Sequence, residues 1–433
     1  YASFFIFFIV GASLFLSGSP LNAKVDPPRI DSFSPERRLD LPVFADNGCY
    51  PTNLAAADLN GDGRSDLAVT GFCNRFALFF GDPKQSDRFL PPKEITVPTS
   101  AIGMAVLPSP TEDLPLLVVS NCANPDTIKN QPLLHLVSMK SLKVVETLPS
   151  GGKAPDDISV ADFNGDGLED VVVGHWKEGV LSLLLGQEGK GRLRTPANPS
   201  PQRVVVGDEH WQVVARDFNK DGKMDVAFIV WTFGSGEGKK ADLVVLRGTG
   251  EGGFDLSAMK AYPVHREARS LAVADFDGNG ALDIAVANPG SALKEDGAVS
   301  LFLGDGRGEF KSTIHPSPVF SSPSGGGQKE EGLLAPQGIA SADFDGDGRP
   351  DLVVANRPVR KNGQLTILYN DGAGRFSLGR SQILPLGPRS KVSTLSFQPL
   401  VSADLNGDGA PDIAVANNDA NTVSVFFNMR RPS

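Results

Sequence analysis

The chain has 433 residues, a charged fraction of 21% and a formal net charge of −10. The charge pattern argues against a disordered chain and against a basic surface that binds nucleic acid. The 47 glycines and 33 prolines are typical of a protein with many turns.

The N-terminal segment has the character of a secretory signal peptide. Residues 1–23 carry no charge, and residues 4–16 form an apolar run that is shorter than the roughly 20 residues of a membrane span. We therefore predict a signal peptide at 1–23, with cleavage after Ala23, and export to the periplasm, the cell surface or the extracellular space. An uncleaved anchor is the alternative. Because an initiator Met and a basic leader are absent, the signal segment is expected to be incomplete at its start. Residues 24–433 are expected to form one domain.

A nonapeptide with oxygen-bearing side chains at positions 1, 3, 5 and 9 and glycine at position 6 recurs through the chain. It begins at six residues, Asp58, Asp162, Asp217, Asp275, Asp343 and Asp404. Glycine permits the positive φ of a tight loop, and Ca²⁺ takes about six to eight oxygen ligands. Four side chains and the carbonyl of position 7 therefore predict one Ca²⁺ site in each loop.

The predicted metal ligands are, loop by loop, Asp58, Asn60, Asp62, Arg64 and Asp66; Asp162, Asn164, Asp166, Leu168 and Asp170; Asp217, Asn219, Asp221, Lys223 and Asp225; Asp275, Asp277, Asn279, Ala281 and Asp283; Asp343, Asp345, Asp347, Arg349 and Asp351; Asp404, Asn406, Asp408, Ala410 and Asp412.

The flanking segments decide the type of loop. An EF-hand needs helices on both sides and a Glu at position 12, but position 12 is Val or Phe in all six copies. Short apolar runs such as ISVA before a loop and VVVG after it are typical of strands. The sequence therefore predicts strand–loop–strand hairpins.

One repeat lacks the acidic residues. The loops that begin at Asp58 and Asp162 are 104 residues apart, about twice the other spacings of 55 to 68 residues. Between them, two apolar runs at 104–106 and 116–121 flank a loop at 107–115. In that loop Leu107, Ser109, Thr111 and Pro115 are predicted to stand at the ligand positions. We therefore predict seven repeats and about six metal sites.

Each repeat continues with a third and a fourth strand, as at 180–186 and 203–206. Four antiparallel strands per unit are typical of a β-propeller blade. The seventh repeat stops at Asn428, after its third strand, and segment 38–44 has the character of the missing strand. We predict an all-β, seven-bladed propeller of four-stranded antiparallel blades, closed by this N-terminal strand, which removes open sheet edges. A linear solenoid is the alternative.

These residues resemble a known family. The segment ADLNGDGAPDIAVANNDANTVSVFFN, which ends at Asn428, is similar to the FG-GAP/VCBS repeats of integrin-α-like propellers, and the resemblance covers roughly 35–430. It implies that the acidic loop joins the first and second strands of a blade and binds Ca²⁺. Because the carboxylates of one loop repel one another unless they are neutralised, we expect structural ions that stabilise the blades. A catalytic ion or one that bridges directly to a ligand is the alternative.

The face opposite the acidic loops holds the most variable sequences, and binding residues often lie in such loops. Exposed aromatic side chains there could stack on a sugar ring or anchor a protein. We predict a protein or glycan site on this face; the alternative is that the rings fill gaps between blades. The candidate ligand-binding residues are Trp176, Trp211, Trp231, His175 and His210.

Two of the three cysteines are expected to face each other. Cys49 precedes the first strand of blade one, and Cys73 follows its antiparallel partner. An exported protein favours a disulfide between them. Cys122, at the matching place in blade two, is the competing partner.

Catalytic patterns are few. The chain has five histidines and neither a G-x-S-x-G nor an H-E-x-x-H motif. Binding or adhesion is therefore the predicted role. The alternative is a polysaccharide-lyase-like enzyme on a calcium-stabilised propeller, with Arg266, Arg269 and Arg357 as candidates for binding a substrate carboxylate.

Overall fold

A computed structural model describes residues 32–44, 49–109, 113–121, 133–176, 178–187, 193–194, 202–234, 238–265, 267–289, 297–312, 335–356, 363–387, 399–418 and 420–430. The predicted signal peptide at 1–23 lies outside these residues. The described part of the chain contains no helix long and apolar enough to cross a membrane.

The described residues form 29 strands and one short 3-10 helix at Pro42–Phe44. The strands of blades one to three are β2 (Pro51–Ala57), β3 (Asp66–Gly71), β4 (Arg75–Phe79) and β5 (Lys93–Thr96); β6 (Met104–Leu107), β7 (Leu116–Ser120), β8 (Leu133–Ser138) and β9 (Lys143–Pro149); β10 (Pro155–Ala161), β11 (Asp170–His175), β12 (Val180–Gly186), β13 (Leu193–Arg194) and β14 (Gln202–Val205).

The strands of blades four to seven are β15 (Glu209–Arg216), β16 (Asp225–Gly234), β17 (Gly238–Gly248) and β18 (Phe254–Val264); β19 (Ser270–Ala274), β20 (Asp283–Asn288), β21 (Ala298–Gly304) and β22 (Phe310–Ser312); β23 (Pro336–Ala342), β24 (Asp351–Asn356), β25 (Gln364–Asn370) and β26 (Phe376–Pro385); β27 (Leu400–Ala403), β28 (Asp412–Asn417), β29 (Thr422–Phe426) and β1 (Arg37–Asp40).

The strands build a closed, seven-bladed β-propeller. Each blade is an antiparallel sheet in chain order, except that β13 and β14 share the fourth place of blade three and that β1 completes blade seven. The first strands of successive blades contact one another around the ring, and β27 of blade seven contacts β2 of blade one. The predicted fold class is confirmed, and the linear solenoid is excluded.

The N-terminal segment closes the ring as predicted. Strand β1 pairs with β29 from Arg37↔Val425 to Asp40↔Thr422. Before this strand, the Ser34 amide donates to the Phe427 carbonyl at 2.7 Å. After it, Leu41 is 1% exposed and packs in the core between blades one and seven. Residues from the two ends of the chain therefore share one sheet.

The hydrophobic core lies between the blades. Seven clusters of buried side chains each combine residues of two neighbouring blades, such as Val172 of blade three with Phe228 of blade four. The cluster of blades four and five also includes Ile102, from the link between blades one and two. Successive side chains of a strand point to opposite faces of its sheet, so both faces of a blade are covered by neighbours. This explains why the second and third strands are apolar at nearly every position.

An aromatic contact joins each of three acidic loops to the next blade. The loop's second residue packs on the first residue of the next blade's fourth strand. The ring centroids are 5.5 Å apart for Phe163 and Phe254, 5.7 Å for Phe218 and Phe310, and 5.8 Å for Phe276 and Phe376. For Phe344 the partner is Phe33 at 5.9 Å, from the N-terminal segment. The N-terminal segment thus supplies the aromatic partner for the blade-six loop.

Polar side chains join the innermost strands. Asp157 of blade three accepts a hydrogen bond from the Val213 amide of blade four at 2.6 Å. Gln212 accepts one from the Leu271 amide of blade five, also at 2.6 Å. Both acceptors lie at irregularities in the pairing of their strands, where the backbone turns the side chain toward the next blade.

Cys49 and Cys73 form the predicted disulfide, with Cα atoms 5.7 Å apart. It joins the residues before β2 to those after β3 in blade one. Cys122 lies outside the described residues.

The disulfide closes a loop with a sequence separation of 24. Its reduction is expected to cost about 2–4 kcal/mol of stability, because the unfolded chain regains freedom. Melting curves with and without reductant measure this effect. A Cys122→Ser variant should keep the reductant effect, and its loss there would contradict the Cys49–Cys73 pairing.

Candidate metal centres

All six acidic loops join the first and second strands of a blade. The ninth residue of each loop is the first residue of the second strand and pairs with the last residue of the first, as in Ala57↔Asp66 and Ala161↔Asp170. The six loops therefore lie at equivalent places and on one face of the propeller.

The first aspartate is the centre of each loop. In blade one, Oδ1 of Asp58 accepts the Gly61 amide at 2.6 Å, and Oδ2 accepts the Gly63 amide at 2.8 Å. The bond from the position 6 glycine to the first carboxylate is present in every loop, at 2.7–2.8 Å. All six of these glycines have φ between 80° and 86°. The loops are thus folded around an oxygen-rich point by their own backbone.

Position 4 also adopts positive φ, which the motif did not reveal. Five loops have glycine there, and the sixth has Lys220 with φ of 60°. An L-residue with a side chain rarely adopts this conformation, so the blade-four loop is the exception among the six.

Two loops bring three carboxylates together. One oxygen from each of Asp275, Asp277 and Asp283 lies within 4.8 Å of the others, and the same holds for Asp343, Asp345 and Asp351. These loops have Asp at position 3, where the other four have Asn. Like charges this close favour a bound cation, and an all-oxygen donor set suits a hard ion such as Ca²⁺. The residues present therefore fit the predicted ion.

The blade-six loop has a fourth carboxylate and two arginines beside it. Arg349 donates to the Asp347 carboxylate, and Nη1 of Arg430 lies 4.0 Å from Oδ1 of Asp345. These cations offset part of the additional negative charge.

The ninth aspartate has a second role that the sequence did not show. Each is fully buried. In blade one, Oδ2 of Asp66 accepts the Leu59 amide at 3.0 Å, and Oδ1 accepts the Gly81 amide, at the end of the third strand, at 2.9 Å. The same pair of bonds occurs in the other five loops. This residue therefore ties the loop to the third strand of its own blade.

Blade two shows what replaces this residue. Leu107 pairs with Leu116, so fully buried Leu116 takes the place of the ninth aspartate. The prediction that put Pro115 there, and Leu107 at the first position, is wrong by one residue. Thr111 lies outside the described residues. An apolar side chain cannot accept the two amide bonds, and in this blade the Met139 amide, just after the third strand, donates to the Pro115 carbonyl at 3.3 Å instead.

Family comparisons agree with this geometry. An FG-GAP-like repeat model matches residues 162–228 and 343–415, and an FG-GAP repeat model matches 50–71 and 268–302. The chain therefore contains FG-GAP repeats.

Curated relatives match this chain over only part of their length. Cartilage acidic protein 1 of Mus musculus is 30% identical over 155 residues, which are 34% of this chain and 22% of that protein. The Homo sapiens protein of the same name is 28% identical over the same shares. The match thus spans about a fifth of these relatives.

Solved structures with low sequence identity share the fold. An exotype rhamnogalacturonan lyase, YesX, is 12% identical with a TM-score of 0.54, over 92% of this chain and 76% of that chain. Kuenenia stuttgartiensis hydrazine synthase is 16% identical with a TM-score of 0.54, over 88% and 96%. BBS1N, in a complex with ARL6DN, is 13% identical with a TM-score of 0.51, over 92% and 98%. At these identities the likeness concerns the fold alone.

Two of the three tryptophans predicted to be exposed on the face opposite the acidic loops are buried. Trp211 and Trp231 are each 3% exposed, with ring centroids 4.5 Å apart, in the core between blades four and five. The Arg269 guanidinium lies 4.8 Å from the Trp211 ring, and Nε1 of Trp231 donates to the Ala268 carbonyl at 3.0 Å. The expectation that these rings are exposed is wrong, because both faces of a blade are covered by neighbours.

The two histidines are also buried. Nε2 of His175 lies 2.9 Å from Oγ of Ser182, and Nδ1 of His210 lies 3.3 Å from Oδ1 of Asp156. A Cβ on Gly174 would lie 1.8 Å from the His210 ring, so glycine makes room for it. Burial lowers the pKa of His175 to about 4 and that of His210 to about 3. Of the five candidate ligand residues, only Trp176 is half-exposed.

Burial raises the pKa of the ninth aspartates above the ordinary 3.8, against the opposing effect of their two amide bonds. The pKa is raised to about 8 for Asp351, to about 7 for Asp66, Asp283 and Asp412, and to about 6 for Asp170 and Asp225.

The metal-free protein is therefore expected to lose stability as pH rises from about 6 to about 8, through the raised pKa values of these aspartates. A folded-state pKa above the unfolded value means that the native state binds more protons, so stability falls as pH passes through the folded pKa. The buried histidines act in the opposite direction, but only below about pH 6.5. Melting temperatures measured in EDTA across this range should fall. With Ca²⁺ bound, the charged carboxylate is favoured and the slope should flatten. A melting temperature in EDTA that rises with pH would contradict the assignment.

Proposed function

We propose that this protein is an exported, calcium-stabilised β-propeller that acts as a binding or adhesion module for a protein or glycan ligand. The observation that carries the proposal is the repetition of one hydrogen-bonded, oxygen-lined loop at six equivalent blade positions. FG-GAP propellers commonly serve as binding modules.

Calcium would be held in each loop by side-chain oxygens of positions 1, 3, 5 and 9 and the carbonyl of position 7. The bound ion supplies charge that offsets the clustered carboxylates. The protein's own contribution is positional, because the first aspartate holds the loop and the ninth holds the third strand. We therefore assign the ions a structural role, with about six sites per chain.

Export is supported by the Cys49–Cys73 disulfide, since such bonds persist in oxidising compartments. The loops also suit an extracellular setting, where calcium modules bind with Kd of about 10⁻⁴ to 10⁻³ M. We propose a periplasmic, cell-surface or secreted location.

The enzyme alternative has little support among the described residues. Arg269 is stacked on Trp211 and Trp231 and 18% exposed, which is a packing role. Arg266 and Arg357 lie outside the described residues, and the likeness to a rhamnogalacturonan lyase concerns the fold alone.

Elemental analysis and a glycan array test the proposed function together. Purified protein dialysed against calcium should retain about six ions per chain, given its six loops. Array binding in calcium should be lost in EDTA, and bound glycans should be recovered intact. The appearance of unsaturated sugars would instead favour a lyase. Protein without bound alkaline-earth metal would overturn the proposed metal sites.

A further inference from the structure

One position at the end of the third strand differs between the blades. In all six blades with an acidic loop, its backbone amide donates to the ninth aspartate of that loop. The residue is glycine in four of these blades, Gly81, Gly186, Gly248 and Gly304, and asparagine in the other two, Asn370 and Asn428. Because glycine has no side chain, only blades six and seven can make a further contact from this position.

Asn370 bridges the acidic loops of blades five and six. Its backbone amide donates to Oδ1 of Asp351, the ninth residue of its own loop, at 2.8 Å. Its Nδ2 donates to the Phe276 carbonyl in the loop of blade five, also at 2.8 Å. Its side-chain oxygen accepts the Gly372 amide at 3.0 Å, which orients the side-chain nitrogen toward the neighbouring loop. One fully buried residue therefore contacts two acidic loops.

Asn428 makes the same bridge between the loops of blades six and seven. Its backbone amide donates to Oδ1 of Asp412 at 2.7 Å, and its Nδ2 donates to the Phe344 carbonyl at 3.0 Å. Its side-chain oxygen accepts the Arg430 amide at 3.2 Å. The same three contacts thus occur at both junctions that have asparagine.

The two bridges join three loops into one chain of hydrogen bonds. Phe276 and Phe344 are the second residues of their loops, and their amides donate to Oδ2 of the ninth aspartates at 2.7 and 2.9 Å. In order, the chain is Asp283, Phe276, Asn370, Asp351, Phe344, Asn428 and Asp412. Each of these residues is at most 1% exposed. Hydrogen bonds in such an interior are strong, and a buried polar group that loses its partner is costly.

We propose that Asn370 and Asn428 are positioning residues that couple calcium binding in the loops of blades five, six and seven. When one loop is ordered, the carbonyl of its second residue stays in place, and the asparagine relays this order to the ninth aspartate of the next loop. These three loops therefore bind calcium with positive cooperativity. The inference rests on the proposed calcium sites and deepens them, because it states which of them act together.

Site-resolved calcium titrations of the full chain test the coupling. Hydrogen exchange of peptides that cover each loop, read by mass spectrometry at increasing calcium, gives a midpoint for every loop. Asp275→Ala removes the acceptor of the Gly278 and Gly280 amides in the loop of blade five. It should raise the midpoint of the blade-six loop about fivefold, the factor that corresponds to one buried hydrogen bond. Because coupling is reciprocal, Asp343→Ala in blade six should raise the midpoint of the blade-five loop by a similar factor.

The bridging residue is tested by replacing it with the residue that the other blades have. Asn370→Gly keeps the backbone amide that donates to Asp351 and removes only the side-chain bridge. In this background, Asp275→Ala should no longer shift the midpoint of the blade-six loop.

Two controls show whether the effect belongs to the bridge. Asn356 is also fully buried in blade six, but it donates to the Val354 carbonyl and the Thr366 hydroxyl of the same blade, so Asn356→Gly should leave the shift intact. Loops four and five meet at Gly304, which has no side chain to reach the neighbouring loop. Asp217→Ala should therefore shift the blade-five loop less than about twofold, and this comparison changes neither asparagine.

The outcomes separate the coupling from the calcium sites themselves. Loops that gain protection with calcium but titrate independently, with no shift of the blade-six loop after Asp275→Ala, would overturn the coupling and keep the metal sites. A shift that persists in a folded Asn370→Gly protein would overturn the role of the asparagine. If Asn370→Gly does not melt cooperatively, Asn428→Gly with Asp343→Ala gives the same test for blades six and seven. Loops without any calcium-dependent protection would count against the proposed function as well.

Discussion

Chelation of calcium with EDTA is expected to lower the melting temperature by about 10 °C or more. A ligand that binds only the native state at about ten times its Kd adds about 1.4 kcal/mol per site, so six sites would add about 8 kcal/mol. In a chain of 433 residues each kcal/mol shifts the melting temperature by about 1–2 °C. Without the ion, the clustered carboxylates of Asp343, Asp345 and Asp351 also repel one another. Differential scanning calorimetry in a few millimolar calcium, then in EDTA, measures the change.

Magnesium is the control for this experiment. Mg²⁺ prefers a smaller, octahedral shell and gives up water reluctantly, so it should restore only part of the stability that Ca²⁺ restores. An Asp58→Ala variant, which removes the acceptor of the Gly61 and Gly63 amides, should show a reduced calcium effect, because one site is lost. A melting curve that EDTA leaves unchanged would refute calcium stabilisation.

Deletion of the N-terminal closing segment is expected to abolish the cooperatively folded propeller. A chain that begins after Phe44 loses the pairing of β1 with β29 and three buried side chains, Phe33, Leu41 and Phe44. Each such side chain contributes about 1.5–3 kcal/mol through burial, and a domain has only about 5–15 kcal/mol in total. The open edge of β29 would also favour aggregation. Size-exclusion chromatography and melting curves of the truncated chain test this.

Two further proteins make the deletion interpretable. A chain that begins at Ser32 keeps every described residue of the segment and should fold as the full chain does. The single variant Phe33→Ala, which removes the ring 5.9 Å from Phe344, should fold with a cost of about 3–5 kcal/mol. A soluble, cooperatively melting chain without residues 32–44 would show that blade seven does not need the N-terminal strand.

Much of the fold follows from patterns that are local in the chain. The spacing of the acidic loops revealed the repeat, and the β-branched runs beside each loop showed its strands. The absent fourth strand after Asn428 pointed to segment 38–44, and β1 occupies that place. The glycine at position 6 predicted a tight turn, and its φ of 80–86° confirms that turn. These features depend on a residue and its near neighbours, so a single sequence contains them.

Contacts between distant residues were decided by the tertiary structure. Asp66 reaches the Gly81 amide of the third strand, and Phe163 packs on Phe254 of the next blade, although no local pattern records either pair. Trp211 and Trp231 follow or precede loop-like sequences, yet they are buried, because neighbouring blades cover both faces of every sheet. The register that puts Leu116 in the place of an aspartate likewise depends on strand pairing. Sequence by itself determined the repeat and its loops; only packing of the blades determined which polar and aromatic side chains remain open to a ligand.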